Sequence, residues 1–208
     1  MSSIQRNWTR RRIVGTGLAA AAGSSLVASW GGEALAQVRL DITRGVIEPI
    51  PIAVSPFAGD DPALRETGLA MAELVSANLE RSGLFEVIDR RAYIQDPESL
   101  RELPRFAEWR PINAQALVTG IVSRPPGGPG LVVEFRLWDV FSGSQMRGLR
   151  YELRAEDWRR VGHQISDVIY ERITGEPGYF DTKIVYVSQT GPKTRRIKRL
   201  AIMDQDGA

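Results

Sequence analysis

The chain has 208 residues, with 27 Lys+Arg against 25 Asp+Glu, one His and no Cys, for a formal net charge of +2. That length holds one ordinary domain plus a further piece, and 43% hydrophobic residues suffice to bury a core, which argues against wholesale disorder. The lack of Cys excludes disulfides, thiolate metal sites, thiol catalysis and lipid attachment at a cysteine, and the single His excludes a histidine cluster.

Residues 1–36 read as an export signal. Arg6, Arg10, Arg11 and Arg12 form a basic start, and a weakly apolar, uncharged run rich in Ala, Gly and Ser follows from Ile13 to Trp30. Ala34-Leu35-Ala36 is an A-x-A cleavage signature, which places the mature start at Gln37. The apolar run is short and broken by Gly, unlike a membrane anchor. The pair Arg10-Arg11 within Thr9 to Val14 is similar to a twin-arginine signal. The low hydrophobicity behind it favours that route over an ordinary secretory signal. Either route leads to the periplasm as a soluble protein. The basic excess belongs to the ends of the chain. Residues 37–178 carry 17 basic and 21 acidic residues, a net of −4, which removes the global case for nucleic acid as a partner.

Val38-Arg39-Leu40-Asp41-Ile42 alternates apolar and charged residues, as a half-exposed strand does. Ile50 to Phe57 is a second extended run, with Pro51 and Pro56 favouring extended backbone before them. Asp61-Pro62 sets a helix start, since Asp can cap and Pro suits the first turn. Leu64, Gly68, Met71, Ala72, Val75 and Leu79 recur at helical spacing, and Gly83 closes that helix in the left-handed conformation. Leu84 to Ile88 reads as a strand. The polar stretch from Asp89 to Arg110 reads as loop with a short helix near residues 97–102.

Ala116 to Ser123 reads as a strand, Pro125 to Gly130 as a loop, and Leu131 to Val140 as a strand. Phe141 to Ser144 turns the chain, and Gln145 to Leu153 pairs back. A second helix is expected from about Ala155 to Ile173. Its buried face would be Val161, Ile165, Val168, Ile169 and Ile173, and Gly175 and Pro177 would stop it. The fold class expected for residues 37–178 is α/β, a mixed α+β sheet with two main helices packed on it. Residues 179–208 supply two further strands, Thr182 to Ser188 and Arg196 to Met203. Two strands make a marginal unit alone, so the chain is expected to stop early in a truncated second domain.

Several segments together carry a family resemblance. Val38 to Ile42 followed by Pro51-Ile52-Ala53-Val54, the junction Asn78 to Phe85, Trp109-Arg110 followed by Ala116 to Gly120, and the pair Phe180 to Ser188 and Leu200 to Gly207 resemble the TolB family of the periplasmic Tol-Pal envelope system. The resemblance spans residues 37–208. It implies an N-terminal α/β domain joined to a six-bladed β-propeller, of which residues 179–208 would be the first strands. It implies a non-enzymatic adaptor that maintains outer-membrane integrity and acts in envelope constriction during cell division. It implies two protein partners, Pal through the propeller and TolA through the mature N-terminus, and exploitation of some members for colicin import. No cofactor or metal is implied.

The TolA-type switch segment would be Gln37, Val38, Arg39, Leu40, Asp41, Ile42 and Thr43. An alternating strand at a chain end can add to a sheet edge, with Val38, Leu40 and Ile42 as one apolar face. A permanently paired first strand is the alternative. If the segment is paired in one state and free in another, the difference between the states governs partner binding.

Other constellations read as structural. His163, Ser166 and Asp167 share a helical neighbourhood, but no strained elbow or G-x-S-x-G accompanies them, so an exposed helix trio is preferred over a catalytic triad. Asp204 and Asp206 with Gly207 read as a strand-end turn, not a calcium loop. Gly127 to Gly130 lacks any phosphate-cradle pattern. Lys193 to Arg199 reads as a solvated hairpin, and Trp109, Trp138 and Trp158 as core or rim aromatics. The competing class is a periplasmic hydrolase with its catalytic domain beyond this chain.

Overall fold

The computed structural model describes residues 48–208. The signal segment and the strand expected over Val38 to Ile42 lie outside the described residues. Strand β1 (Ile50–Val54) runs parallel to both β3 (Phe85–Val87) and β4 (Ala116–Ser123), with Ile50 opposite Phe85 and Ile52 opposite Ala116. Strands β5 (Leu131–Asp139) and β6 (Ser144–Leu153) follow β4 antiparallel. The order β3-β1-β4-β5-β6 is a mixed sheet, as expected. Every residue of β1 is buried. Pro51 fits in this central strand because β1 pairs with β4 only from Ile52 onward, so its missing donor costs no ladder bond there.

The chain leaves β1 at Ser55 and rejoins β4 as the two-residue strand β2 (Ala58–Gly59), pairing Ala58 with Ile121. Phe57 fills this break, where the sequence suggested one unbroken extended run. Its N–H donates to the Gly68 carbonyl at 3.2 Å. A Cβ on Gly68 would stand 2.2 Å from the Phe57 carbonyl oxygen, and one on Gly120 would stand 2.5 Å from the Phe57 ring. Two glycines thus let one Phe wedge between helix and sheet.

Helix α1 (Pro62–Arg81) begins as the sequence indicates. Asp61 sits in extended conformation and its Oδ1 accepts the Leu64 N–H at 2.8 Å, a cap worth about 0.5–2 kcal/mol. That bond holds the Asp61 carboxyl below its usual value. The helix ends at Gly83, with φ +73°. Helix α2 (Trp158–Thr174) starts three residues later than expected, after a 3-10 turn at Ala155–Asp157, and Gly175 stops it at φ +81°. Both helices cover one sheet face. Met71, Val75 and Leu79 from α1 and Val161, Ile165 and Ile169 from α2 meet Ile52, Val118, Val133, Phe135 and Leu137. Val168, expected on the buried face, is only partly buried.

The opposite face is covered by the stretch between β3 and β4. The sequence suggested polar loop there, with one short helix. Instead, single 3-10 turns at Arg90–Ala92, Ser99–Arg101 and Phe106–Glu108 fold Leu100, Trp109 and Ala114 onto Ala53, Leu117 and Trp138. Buried indoles find acceptors, as they must. Trp109 Nε1 donates to Gln95 at 2.8 Å and Trp138 Nε1 to Thr119 at 3.0 Å. Tyr93 stitches this cover to the sheet: its hydroxyl accepts the Val54 N–H at 3.0 Å and donates to the Ile88 carbonyl at 2.9 Å. Strands β7 (Lys183–Thr190) and β8 (Ile197–Asp204) form a separate antiparallel hairpin.

Gly68→Ala should lower stability by about 1–3 kcal/mol, read as a reduced urea midpoint, because backbone must move to admit the methyl group. Gly128→Ala, whose nearest neighbour would be 3.9 Å away, should stay within about 0.5 kcal/mol of wild type. Burial pushes the Tyr93 hydroxyl up to about 12. The unfolded chain ionises near the ordinary value of 10.0, so stability is full below pH 10 and falls as pH rises from there towards 12. Urea midpoints between pH 9 and 11 should fall more steeply for wild type than for Tyr93→Phe.

Candidate functional site

The densest buried polar cluster lies where α1, α2 and the end of β8 meet. Helix α2 reaches α1 through Gly162, where a Cβ would stand 2.8 Å from Leu74. This close approach puts fully buried Asn78 against α2. Its Nδ2 donates to His163 Nδ1 and to Ser166 Oγ, both at 3.0 Å. Its Oδ1 accepts from Arg81 at 3.3 Å and from Gln205 Nε2 at 3.1 Å. Both donors and the acceptor of one amide are used, which makes its burial tolerable. Since Nδ1 accepts, neutral His163 carries its ring proton on Nε2. Ser166 Oγ donates to the Gly162 carbonyl at 3.0 Å.

His163 Nε2 is buried and has no hydrogen-bond partner among the described residues. It faces Asp206 Oδ2 at 3.7 Å. Burial lowers the His163 pKa, although Asp206 and Asp204 pull it upward. Asp206 also accepts from Arg159 at 2.6 Å. Burial works against its charge, but the Ala208 N–H and Arg159 outweigh it, and the carboxyl lies below its usual value. A second tie holds the hairpin's base. Asp167 accepts the Phe180 N–H at 2.6 Å and the Asp181 N–H at 3.1 Å. Gly178 permits that approach, since a Cβ there would stand 2.4 Å from the Asp167 Cα.

The expected exposed trio is corrected by this geometry. His163 and Ser166 are buried, because α2 is covered on two sides, by the sheet and by α1. Ser166 and His163 are both bound to Asn78, not to each other, so no Ser–His relay exists here. Asp204 to Gly207 is the expected strand-end turn, with Gly207 N–H on the Asp204 carbonyl at 3.0 Å. Gly127 to Gly130 joins β4 to β5 as a loop, and Lys193 to Arg199 is exposed on the β7–β8 hairpin. Trp109 and Trp138 are core, and Trp158 is partly buried beneath the Arg159 guanidinium. The hairpin exposes Val185, Val187, Leu200 and Ile202. Gln37 to Thr43, the cleavage residues Ala34 and Ala36, and Arg10 and Arg11 lie outside the described residues.

Residues 38–146 match the family model of the TolB amino-terminal domain. The chain belongs to the TolB amino-terminal domain family. It is 53% identical over 175 residues to a Tol-Pal system protein TolB from Paramagnetospirillum magneticum, covering 84% of this chain and 39% of that relative. The crystal structure of TolB from Acinetobacter baumannii superposes with a TM-score of 0.63 at 26% identity, covering 77% of this chain and 37% of that one. The chain thus spans about two-fifths of the length of these TolB relatives. The mixed sheet with two helices is the fold expected from the family resemblance.

Truncating the buried amide isolates this junction. Asn78→Ala should cost about 2 kcal/mol by stranding buried His163 and Ser166, measured by urea denaturation. A substitution on the outer helix face, Glu66→Ala, should change the midpoint little.

Proposed function

We propose that this chain is the amino-terminal part of a soluble periplasmic adaptor of the Tol-Pal system. It acts through protein contacts and not through catalysis. The observation that carries the reading is the TolB amino-terminal match over residues 38–146. The 53% identical Tol-Pal relative points the same way. Residues 1–36 serve as an export signal of twin-arginine type, cleaved after Ala36. No helix among the described residues is long and apolar enough to cross a membrane.

Residues 37–178 form the N-terminal α/β domain, and residues 179–208 begin the propeller. The hairpin's apolar residues stand exposed, with Leu200 at 78%, as expected of strands that pack in a larger array. The propeller side binds Pal and the mature N-terminus binds TolA. Through both partners the protein helps keep the outer membrane attached and assists constriction at division. The segment Gln37, Val38, Arg39, Leu40, Asp41, Ile42 and Thr43 is the TolA-binding strand. Its alternation suits addition to a sheet edge, where main-chain bonds supply affinity and alternate side chains supply specificity.

Deleting residues 37–43 should abolish capture of TolA in a pull-down while circular dichroism and melting temperature stay unchanged. Undiminished TolA capture by the truncated protein would overturn the assignment. Residues 37–208 alone should fail to capture Pal, and tight Pal binding would show that the rest of a propeller is dispensable.

A further inference from the structure

We propose that His163, Asp204 and Asp206 bind a divalent ion of the zinc class. One ligand atom from each residue lies within 4.8 Å of the others. One imidazole nitrogen with two carboxylate oxygens suits zinc, which takes nitrogen and oxygen donors at about 2.0–2.2 Å. The same set suits calcium or magnesium poorly, since those ions prefer oxygen alone. A modest inward shift of the two aspartates would bring all three donors into range.

The independent observation is His163 Nε2. Its side chain is 3% exposed, the atom has no hydrogen-bond partner, and it points at Asp206 Oδ2 from 3.7 Å. A buried polar atom left unsatisfied calls for an explanation. A cation between that nitrogen and the carboxylates supplies one.

Two local cations compete for the site. Arg159 holds Asp206 at 2.6 Å, and Lys183 pairs with Asp204. Lys183 is 61% exposed and swings away readily, whereas Arg159 leaves a carboxylate that is only 9% exposed, so the incoming ion has to replace that charge as it departs. Each carboxylate would exchange a monovalent partner for a shared divalent one. The proton balance is also definite. Metal on Nε2 requires the ring proton to move to Nδ1. Asn78 must then turn its amide so that Oδ1 accepts that proton. Ser166 then turns its hydroxyl from the Gly162 carbonyl to donate to Asn78, the Gln205 amide turns to match, and the exposed Arg81, which can only donate, gives up its 3.3 Å contact with the amide. Asn78 becomes the outer partner that fixes ring orientation, the usual arrangement behind a metal-bound His. The bound ion would clamp the end of β8 onto α2.

The test uses the tag-free 208-residue chain, with calorimetric titration of zinc chloride and the visible absorption of added cobalt(II) as a second probe. One ion per chain, a cobalt spectrum of nitrogen and oxygen ligation, and a melting temperature that rises with zinc are expected. Asp206→Asn and Asp204→Asn, which keep the shape of these largely buried side chains, should weaken binding at least tenfold. Arg159→Gln should tighten it severalfold by removing a competing cation, a result that a purely structural ion pair does not produce. His163→Ala should abolish binding, with circular dichroism used to check that the buried truncation still folds. Absence of zinc heat in the wild-type chain, or unchanged affinity in both aspartate variants, would overturn the proposal.

Discussion

One buried amide ties three parts of the chain together. Asn78 sits on α1, donates to two side chains of α2, and accepts from Gln205 beyond the end of β8. An amide removed from water is costly unless its donors and acceptor find partners, so these elements cannot shift independently. The close helix contact at Gly162 is what brings the partners into range. Asp167, holding the backbone of Phe180 and Asp181, sets where the chain leaves α2 for the hairpin.

The sheet is positioned by sterics more than by polarity. Phe57 occupies a break between β1 and β2, with its carbonyl against Gly68 and its ring against Gly120. The helix can lie this low only because neither glycine carries a side chain. On the far side, Tyr93 and Trp109 anchor a cover made of single turns, so β1 is enclosed on both faces. Enclosure on both faces suits a parallel pairing, which rarely meets water.

Much of this was legible in the residues. Asp61-Pro62 and Gly83 mark the ends of α1 because capping depends on local chemistry. The strand Ala116 to Ser123 and the β5–β6 turn were equally plain, since their signals lie within a few residues. The helix–helix contact was hidden because a search for apolar periodicity passes over polar residues. Asn78 lies three residues beyond Val75 and seven beyond Met71, which puts it on the buried face. Gly162 and Ser166, small residues one turn apart, were the other available sign of a close approach. The cover over residues 89–115 was illegible for a different reason: Tyr93, Leu100, Phe106 and Trp109 have no common period, and only tertiary contact orders them. The segment expected to meet TolA was legible solely as an alternating pattern at the expected mature start, alongside the family resemblance.

The position of β1 has a consequence for how the molecule breathes. Its amides lie at the centre of the sheet, under the helices on one side and the Tyr93–Trp109 cover on the other. Neither cover can lift far without breaking the core it seals, so solvent reaches those amides only when the domain opens as a whole. Among the described residues the hairpin has no such roof. Fraying there can proceed while the centre stays closed, and the buried amide at Asn78 marks the boundary between the two regimes.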